Sequence, residues 1–469
     1  MRIYEINTRL QGRTFEDVSE SDLSKMAALG FDALWPMGVW QISDGARSIS
    51  KLVSDDLEGS PYSVPVYKFS RELGGKSGFQ SLVSRAHKAG LLVIVDFVSN
   101  HMALDSPWIE KHPDFFIRSN PHVRKQPTSD YFLHKSGKVI AFGRDPYFPP
   151  WHDTSQLDYT SKALRRHMIE LLKWISRYAD GVRCDMAMLV LRDNIRQQWY
   201  PFASGDEFNE RMPDEFWGEA IAEVKAQRPD FKFIAEAYWD KEQQLRELGF
   251  DLTYEKKLYD GLVARDAGRV SERLSIDLTA LRSSLSFIEN HDEPRAAAVF
   301  STASNLASAA LILASPCSAL IHEGQLEGKR EKLPVQRVKP LTNEAPDQQL
   351  RAGYEQLLEV TAQQVFRAAD FVTFDAGAFG VIAFIRKDTK RVVAYIGQVA
   401  DAWHRFNSTA LNVAGVARAC GAIGPVQLTN LLESRSITVR PNNGEYRIEL
   451  RELGVGEGVR FCLLEALSI

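Results

Sequence analysis

Through most of its length the chain alternates short apolar runs of strand length with stretches of helical spacing, and several of the apolar runs end in a carboxylate. Ile3 to Thr8 reads as a strand, Glu20 to Leu29 as a helix ended by Gly30, and Ala33 to Pro36 as a second strand. Gly78 to Ala89 is again helical, ended by Gly90, and a third strand starts at Leu91. Strict alternation of this kind predicts a parallel sheet with right-handed crossovers. A parallel strand is buried on both faces, so it is apolar throughout, and its last side chain arrives at the C-terminal edge, where barrel enzymes keep their chemistry. The runs Gly181-Val182-Arg183-Cys184-Asp185, Phe233-Ile234-Ala235-Glu236 and Phe287-Ile288-Glu289-Asn290-His291-Asp292 deliver Asp185, Glu236 and Asp292 there. A cluster of three carboxylates points to glycoside hydrolysis.

The alternation stops between His101 and Asp158, a stretch rich in Pro, His and aromatics that includes Tyr147, Phe148 and Trp151. A loop this long is expected to be functional. These aromatics line a cleft or form the core of a small subdomain. Alternation resumes with a helix at Ser161 to Tyr178, the strand ending at Asp185, a helix at Glu215 to Ala226 and a strand at Phe231 to Glu236. Strands near Phe250 to Tyr254, Leu285 to Ile288 and Ser318 to His322 bring the total to eight. Beyond a helix near Gln348 to Phe366 the period changes to alternating strands at Val381 to Ile385, Arg391 to Ile396, Tyr446 to Leu450 and Val459 to Leu463. Asn442-Asn443-Gly444 suits a hairpin turn there. This is the pattern of an antiparallel β-sandwich.

The chain's 469 residues leave room beside a barrel of roughly 250 for an insertion and a second domain. A net charge of -4 without a long basic run argues against a nucleic-acid partner. No apolar run reaches the 18 or so residues of a membrane span. Met1 leads directly into the first strand with no leader-like segment, so a cytoplasmic protein is expected. The four scattered cysteines, Cys184, Cys317, Cys420 and Cys462, are expected as buried thiols.

The third run continues as Asp96-Phe97-Val98-Ser99-Asn100-His101. With the segments ending at Asp185, Glu236 and Asp292 it completes four motifs, in order, that resemble the signature segments of the α-amylase family (glycoside hydrolase family 13). The resemblance covers about Met1 to Val372. It implies an α/β fold, a (β/α)8 TIM barrel over 1–101 and 158–372, with a short insertion after strand 3 (domain B, 102–157) as one wall of the cleft. An antiparallel β-sandwich domain would follow over 373–469.

By the resemblance Asp185 is the nucleophile and Glu236 the acid/base of a retaining glycosidase, whose carboxyls stand about 5 to 5.5 Å apart. Asp292 would bind sugar hydroxyls. Arg183 and Asp185 are two apart on a strand and share a face, so the guanidinium would keep the nucleophile ionised. His101 and His291 would hydrogen-bond the glucosyl unit, and Tyr62 matches the aromatic platform under it, unless it serves plain packing. Asp96 would support the site from behind. Arg295 would pair with a nearby acid, in a structural or a catalytic role.

Two departures bear on substrate and metal. Starch-degrading relatives carry Lys-His where this chain has Met188-Leu189, and the change removes polar contacts on the leaving-group side. In calcium-dependent members Asn100 is a ligand and domain B supplies acids, but Asp105, Asp114, Asp130 and Asp145 form no recognisable loop. No calcium or other cofactor is therefore assigned. The expected partner is a small carbohydrate, a short α-glucan or α-glucoside, taken by hydrolysis or by transglycosylation. A non-catalytic binding module is the remaining alternative. The oligomeric state is not legible.

Overall fold

In a computed structural model that describes residues 1–119, 128–340, 342–367, 370–400 and 406–469, eight parallel strands close into a barrel. They are Arg2–Asn7, Ala33–Met37, Leu92–Val98, Gly181–Asp185, Lys232–Ala235, Leu252–Tyr254, Ser284–Ser286 and Ser318–His322. Each pairs with its neighbour in chain order, and the first pairs with the last. The period-2 rule then divides every strand between two cores. Ile3, Trp35, Ile94, Ile234, Leu252, Leu285 and Leu320 point inward and fill the lower barrel. Val93, Val95, Val182, Cys184 and Phe233 point outward beneath the surrounding helices. The inward parity carries Glu5, Asp96, Arg183 and Asp185 to the top of the barrel.

The start of strand 4 admits only glycine. A Cβ on Gly181 would sit 2.7 Å from the Lys232 carbonyl oxygen and 2.8 Å from Ile94 Cδ1, so its absence lets strands 3, 4 and 5 close up beneath Arg183. Three of the outer helices start at side-chain caps that satisfy a first-turn N–H group, Ser19 for Glu20–Ala28, Ser161 for Lys162–Ile175 and Asp347 for Gln348–Thr361.

The insertion after strand 3 holds two short antiparallel ribbons, His101–Ala103 with Thr154–Gln156 and Tyr131–Leu133 with Val139–Ala141. Residues 120–127 of the expected domain B lie outside the described residues. A six-stranded antiparallel sheet follows the barrel, in the order Asp370–Thr373, Val381–Lys387, Val392–Gln398, Phe461–Ser468, Val426–Asn430, Arg435–Val439. Its first strand places 370–372, assigned to the barrel from sequence, on this sheet. One face packs Ala383, Ile385, Ala394 and Leu464 against the small ribbon Ala410–Asn412 with Arg447–Glu449, which makes a sandwich of unequal sheets. The other presents Phe384, Tyr395 and Leu463 to the barrel, where Tyr395 Oη donates to Ala307 O at 3.0 Å. Ala307 lies in the helix Thr302–Ala314, whose side chains are buried nearly all round. No helix among the described residues is long and apolar enough to cross a membrane.

Candidate active site

Arg183 is the centre of the polar cluster at the barrel's top, and 1% of its side chain is exposed. Its Nη1 donates to Asp185 Oδ1 at 2.7 Å, its Nη2 lies 2.8 Å from Glu236 Oε2, and its Nε donates to Tyr254 Oη at 3.2 Å. Asp96 Oδ1 and Asp292 Oδ2 stand further off, at 3.8 and 3.9 Å. The guanidinium also faces the rings of Trp35, Tyr62 and Tyr254 at 5.3 to 5.6 Å, which favours a buried cation. One fixed positive charge thus holds two carboxylates on neighbouring strand ends, with a third at the mouth of the cleft.

The two carboxylates differ in what else they touch. Glu236 Oε2 accepts the Met186 N–H at 2.7 Å, presented by a backbone at φ 44°, and Oε1 accepts from Tyr238 Oη at 2.9 Å. Burial pushes the Glu236 carboxyl up to about 7; Arg183 opposes this, while Asp185 and Asp292 reinforce it. Burial also raises Asp185, with Arg183 pulling it back through charge and hydrogen bond. Enclosure would raise Asp292 too, but His291, Arg183 and Lys332 hold it down at about 2. Asp292 keeps 44% of its side chain exposed, so it can meet a ligand.

His291 lies between acids. Its Nδ1 is 2.5 Å from Glu5 Oε1 and its Nε2 2.9 Å from Asp292 Oδ2, with Tyr62 Oη 2.8 Å from the same Nε2. Burial opposes a charge on this ring, but Asp292 and Glu5 raise it well above the ordinary histidine value. The two acids favour its protonated form, and Glu5 holds the ring from below. Tyr62 stacks on it, ring centroids 5.4 Å apart. His101 differs. Burial drives it down to about 4, so it is neutral, and it sits by the Tyr62 backbone carbonyl with its ring 5.1 Å from Trp151.

Asp96 is buried behind the cluster, where its Oδ2 accepts the Gly38 N–H at 3.0 Å. Arg295 is outside the cluster. It contacts Glu289 and His322 and donates to the Glu323 and Lys329 carbonyls, bracing the segment after strand 8. That segment, 324–340 and 342–344, walls a cavity of about 320 Å³ next to Asn290 and His291.

The apolar pair Met188 and Leu189, which stands where starch-degrading relatives carry polar residues, does not line the cleft. Both side chains are buried, 0% and 3% exposed, in the turn Ala187–Val190, because apolar groups gain more from the core than from a wet groove. Beyond Glu236 the cleft is instead flanked by Tyr238 and Trp239. Tyr147 of the insertion packs edge-on against Trp239 at 4.9 Å while staying 68% exposed. Phe148 beside it is also exposed.

Sequence reasoning passed over Glu5, Tyr238 and Tyr254. Glu5 carries the same signal as the others, an acidic side chain inside the apolar run of strand 1 on the inward parity of Ile3. Tyr238 and Tyr254 follow or end strands without a charge to mark them.

The surroundings of Asn100 do not suit a cation. Gln156 Nε2 donates to the Asn100 amide oxygen at 2.9 Å and lies 3.0 and 3.1 Å from the Asn100 and Leu157 carbonyls, so an amide nitrogen already gathers these oxygens. Asp105 accepts from Ser43 and Gly45, Asp130 pairs with Arg144, and Asp145 accepts the Tyr147 and Phe148 N–H groups. Among the described residues no three metal-type side chains converge.

Comparison with known proteins gives one family profile, the α-amylase catalytic domain, matching residues 23–348. The α-amylase MalA of Haloarcula japonica is 23% identical over 340 residues, 70% of this chain and 44% of that enzyme. The α-1,4-glucan:maltose-1-phosphate maltosyltransferase of Cereibacter sphaeroides is 27% identical over 257 residues, 51% of this chain and 36% of that enzyme. This chain spans about half or less of the curated relatives it matches. Among solved structures, the maltogenic α-amylase AmyB of Thermotoga neapolitana superposes with a TM-score of 0.74 at 20% identity, over 99% of this chain and 98% of that one. That likeness is one of fold.

Proposed function

Because this chain belongs to the α-amylase family, we propose that it is a retaining glycosidase acting on α-glucosidic bonds of short α-glucans or small α-glucosides. The observation that carries this reading is the single buried Arg183 guanidinium between Asp185 and Glu236, two carboxylates whose surroundings assign them different work. Asp185, fixed by a 2.7 Å charged hydrogen bond, attacks the anomeric carbon. As that C–O bond forms, the glycosidic C–O bond breaks and the leaving oxygen takes the proton of Glu236. With Oε2 engaged by Met186 and Arg183, the proton resides on Oε1 beside Tyr238. Glu236, now a carboxylate, draws a proton from water, which attacks the glycosyl ester and releases Asp185. Asp292 and His291 bind hydroxyls of the sugar stacked on Tyr62.

A carboxyl that titrates at about 7 sets the pH response. The acid must be protonated in the free enzyme, so kcat/KM falls about tenfold per pH unit above roughly pH 7. A pH profile of kcat/KM that stays flat to pH 9 removes Glu236 from this role.

The preference for short substrates rests on two features. The cavity beside His291, about 320 Å³, is at the small end of ligand pockets. On the acid side, the Tyr147–Trp239 contact reaches across from the insertion to the loop after strand 5. We expect kcat/KM to be ten- to a hundred-fold higher on di- and trisaccharides than on soluble starch, since two or three absent polymer contacts cost about 1 kcal/mol each. Efficiency rising with chain length through to starch overturns this.

Transfer to a sugar hydroxyl in place of water uses the same residues, and the likeness to a maltosyltransferase favours testing it. Chromatography of products at high substrate concentration separates the two, by the presence or absence of oligosaccharides longer than the substrate. A cytoplasmic setting suits the four unpaired thiols.

A further inference from the structure

At the opposite end of the barrel from the carboxylates, a cavity of about 350 Å³ opens on the seam with the C-terminal sheet. Four arginines line it and one acid, Asp32. They come from separate parts of the chain. Arg2 opens strand 1, Arg282 ends the helix Leu278–Arg282, Arg367 follows the helix Gln348–Thr361, and Arg386 lies on the sheet strand Val381–Lys387.

Asp32 is already engaged, accepting from Arg367 Nη2 at 3.2 Å and from the Arg2 N–H at 2.8 Å. The Arg2 guanidinium donates to the Leu358 and Thr361 carbonyls, and Arg386 Nη1 to the Ala314 carbonyl at 3.3 Å. Both side chains are under a tenth exposed. Burial pushes each down to about 10, and like charges add to it, Arg367 on Arg2 and Arg282 on Arg386. Arg2 and Arg386 keep positive charge away from bulk water, which is costly, and an anion entering between Arg386 and the exposed Arg282 and Arg367 relieves it. The planar guanidinium fork fits phosphate oxygens two at a time.

We propose that this cavity is a binding site for a phosphate group, between Arg282, Arg367 and Arg386, at the junction of barrel and sheet. Inorganic phosphate and a small phosphomonoester share that chemistry, and the volume admits either. The site is remote from the proposed catalytic cluster and independent of its function.

The test is thermal unfolding of the full chain titrated with sodium phosphate, against sodium chloride at equal ionic strength and pH. A saturable rise in Tm with phosphate alone is expected. Arg282→Gln and Arg367→Gln alter exposed side chains and should fold; each should weaken the apparent Kd at least tenfold. Asp32→Asn, which removes the opposing charge, should tighten it, and Glu236→Gln should leave it unchanged. A parallel titration with glucose 6-phosphate identifies the source: equal affinity means that the phosphate group alone is read, and tighter binding that the sugar is held too. Three results overturn the proposal: a Tm that follows chloride and phosphate alike, binding indifferent to both arginine changes, or binding lost in Glu236→Gln. The first would mean that the arginines only cap the helix ends they touch.

Discussion

Asp185→Asn will fold normally and turn over substrate on the order of 10⁴-fold more slowly, about 5 kcal/mol of barrier. The change keeps the side chain's size and leaves an oxygen for Arg183 Nη1, which now lies 2.7 Å from Asp185 Oδ1, so packing is preserved while nucleophilicity is lost. Glu236→Gln makes the contrast. It removes a proton donor, and a donor is needed only when the leaving group is poor. A substrate such as α-glucosyl fluoride, whose leaving group departs without a proton, should therefore recover most of the loss in kcat/KM, which reports the first step, in Glu236→Gln and none in Asp185→Asn. The kcat of Glu236→Gln stays low because the second step still lacks its base. The measurements are kcat/KM and kcat on both substrates and unfolding curves for each variant. Either variant keeping more than about a tenth of native activity on a natural glucoside shows that the roles are wrongly assigned.

Arg183→Met is the second large effect, and it falls on stability as well as activity. Removing the guanidinium leaves Asp185 and Glu236 buried without their shared cation, a loss typically of about 3–5 kcal/mol. The pH dependence gives the cause away. Both carboxyls are raised in the folded protein by burial, Glu236 already to about 7, and without Arg183 they rise further. A raised carboxyl binds more protons folded than unfolded, so it lowers stability as pH climbs above its ordinary value near 4.5 and has no effect once protonated in both states. Relative to the native protein the defect measured by urea unfolding should be smallest at acid pH, where the carboxyls are protonated with or without Arg183, and should grow as pH rises past the native Glu236 value of about 7. A defect independent of pH would trace it to lost packing against Trp35, Tyr62 and Tyr254 instead. Arg183→Lys should recover part of the stability and little activity, since a single ammonium cannot hold two carboxylates in a fork.

The barrel was legible because strands buried on both faces have to be apolar, and each of the eight produced a run that could be counted. The ends were less clear. Strand 7 pairs only over Ser284–Ser286, and Phe287 to Asp292 leave the ladder to reach the cleft, although the apolar letters run on to Ile288. The helix Thr302–Ala314 was missed because it is apolar on every side and lacks the 3.6-residue stripe that marks a surface helix. The strands Val426–Asn430 and Arg435–Val439 were hidden by polar residues such as Gln427, Thr429 and Arg435 on their exposed faces. Site residues were found where a motif marked them. Glu5 depends on a partner 286 positions away, and no local pattern encodes that pairing.

The order of strands in the C-terminal sheet has a consequence for how the protein is made. Phe461–Ser468 is not an edge strand; it lies between Val392–Gln398 and Val426–Asn430, so the sheet has no centre until it emerges from the ribosome. Until then Thr302–Ala314, synthesised about 150 residues earlier, has only the incomplete sheet of Val381–Lys387 and Val392–Gln398 to cover the side it turns to Tyr395. At roughly 5–20 residues per second that interval lasts on the order of 10–30 s. For that time a nascent barrel carries an apolar helix covered by an unfinished sheet, which makes it a ready client for chaperones.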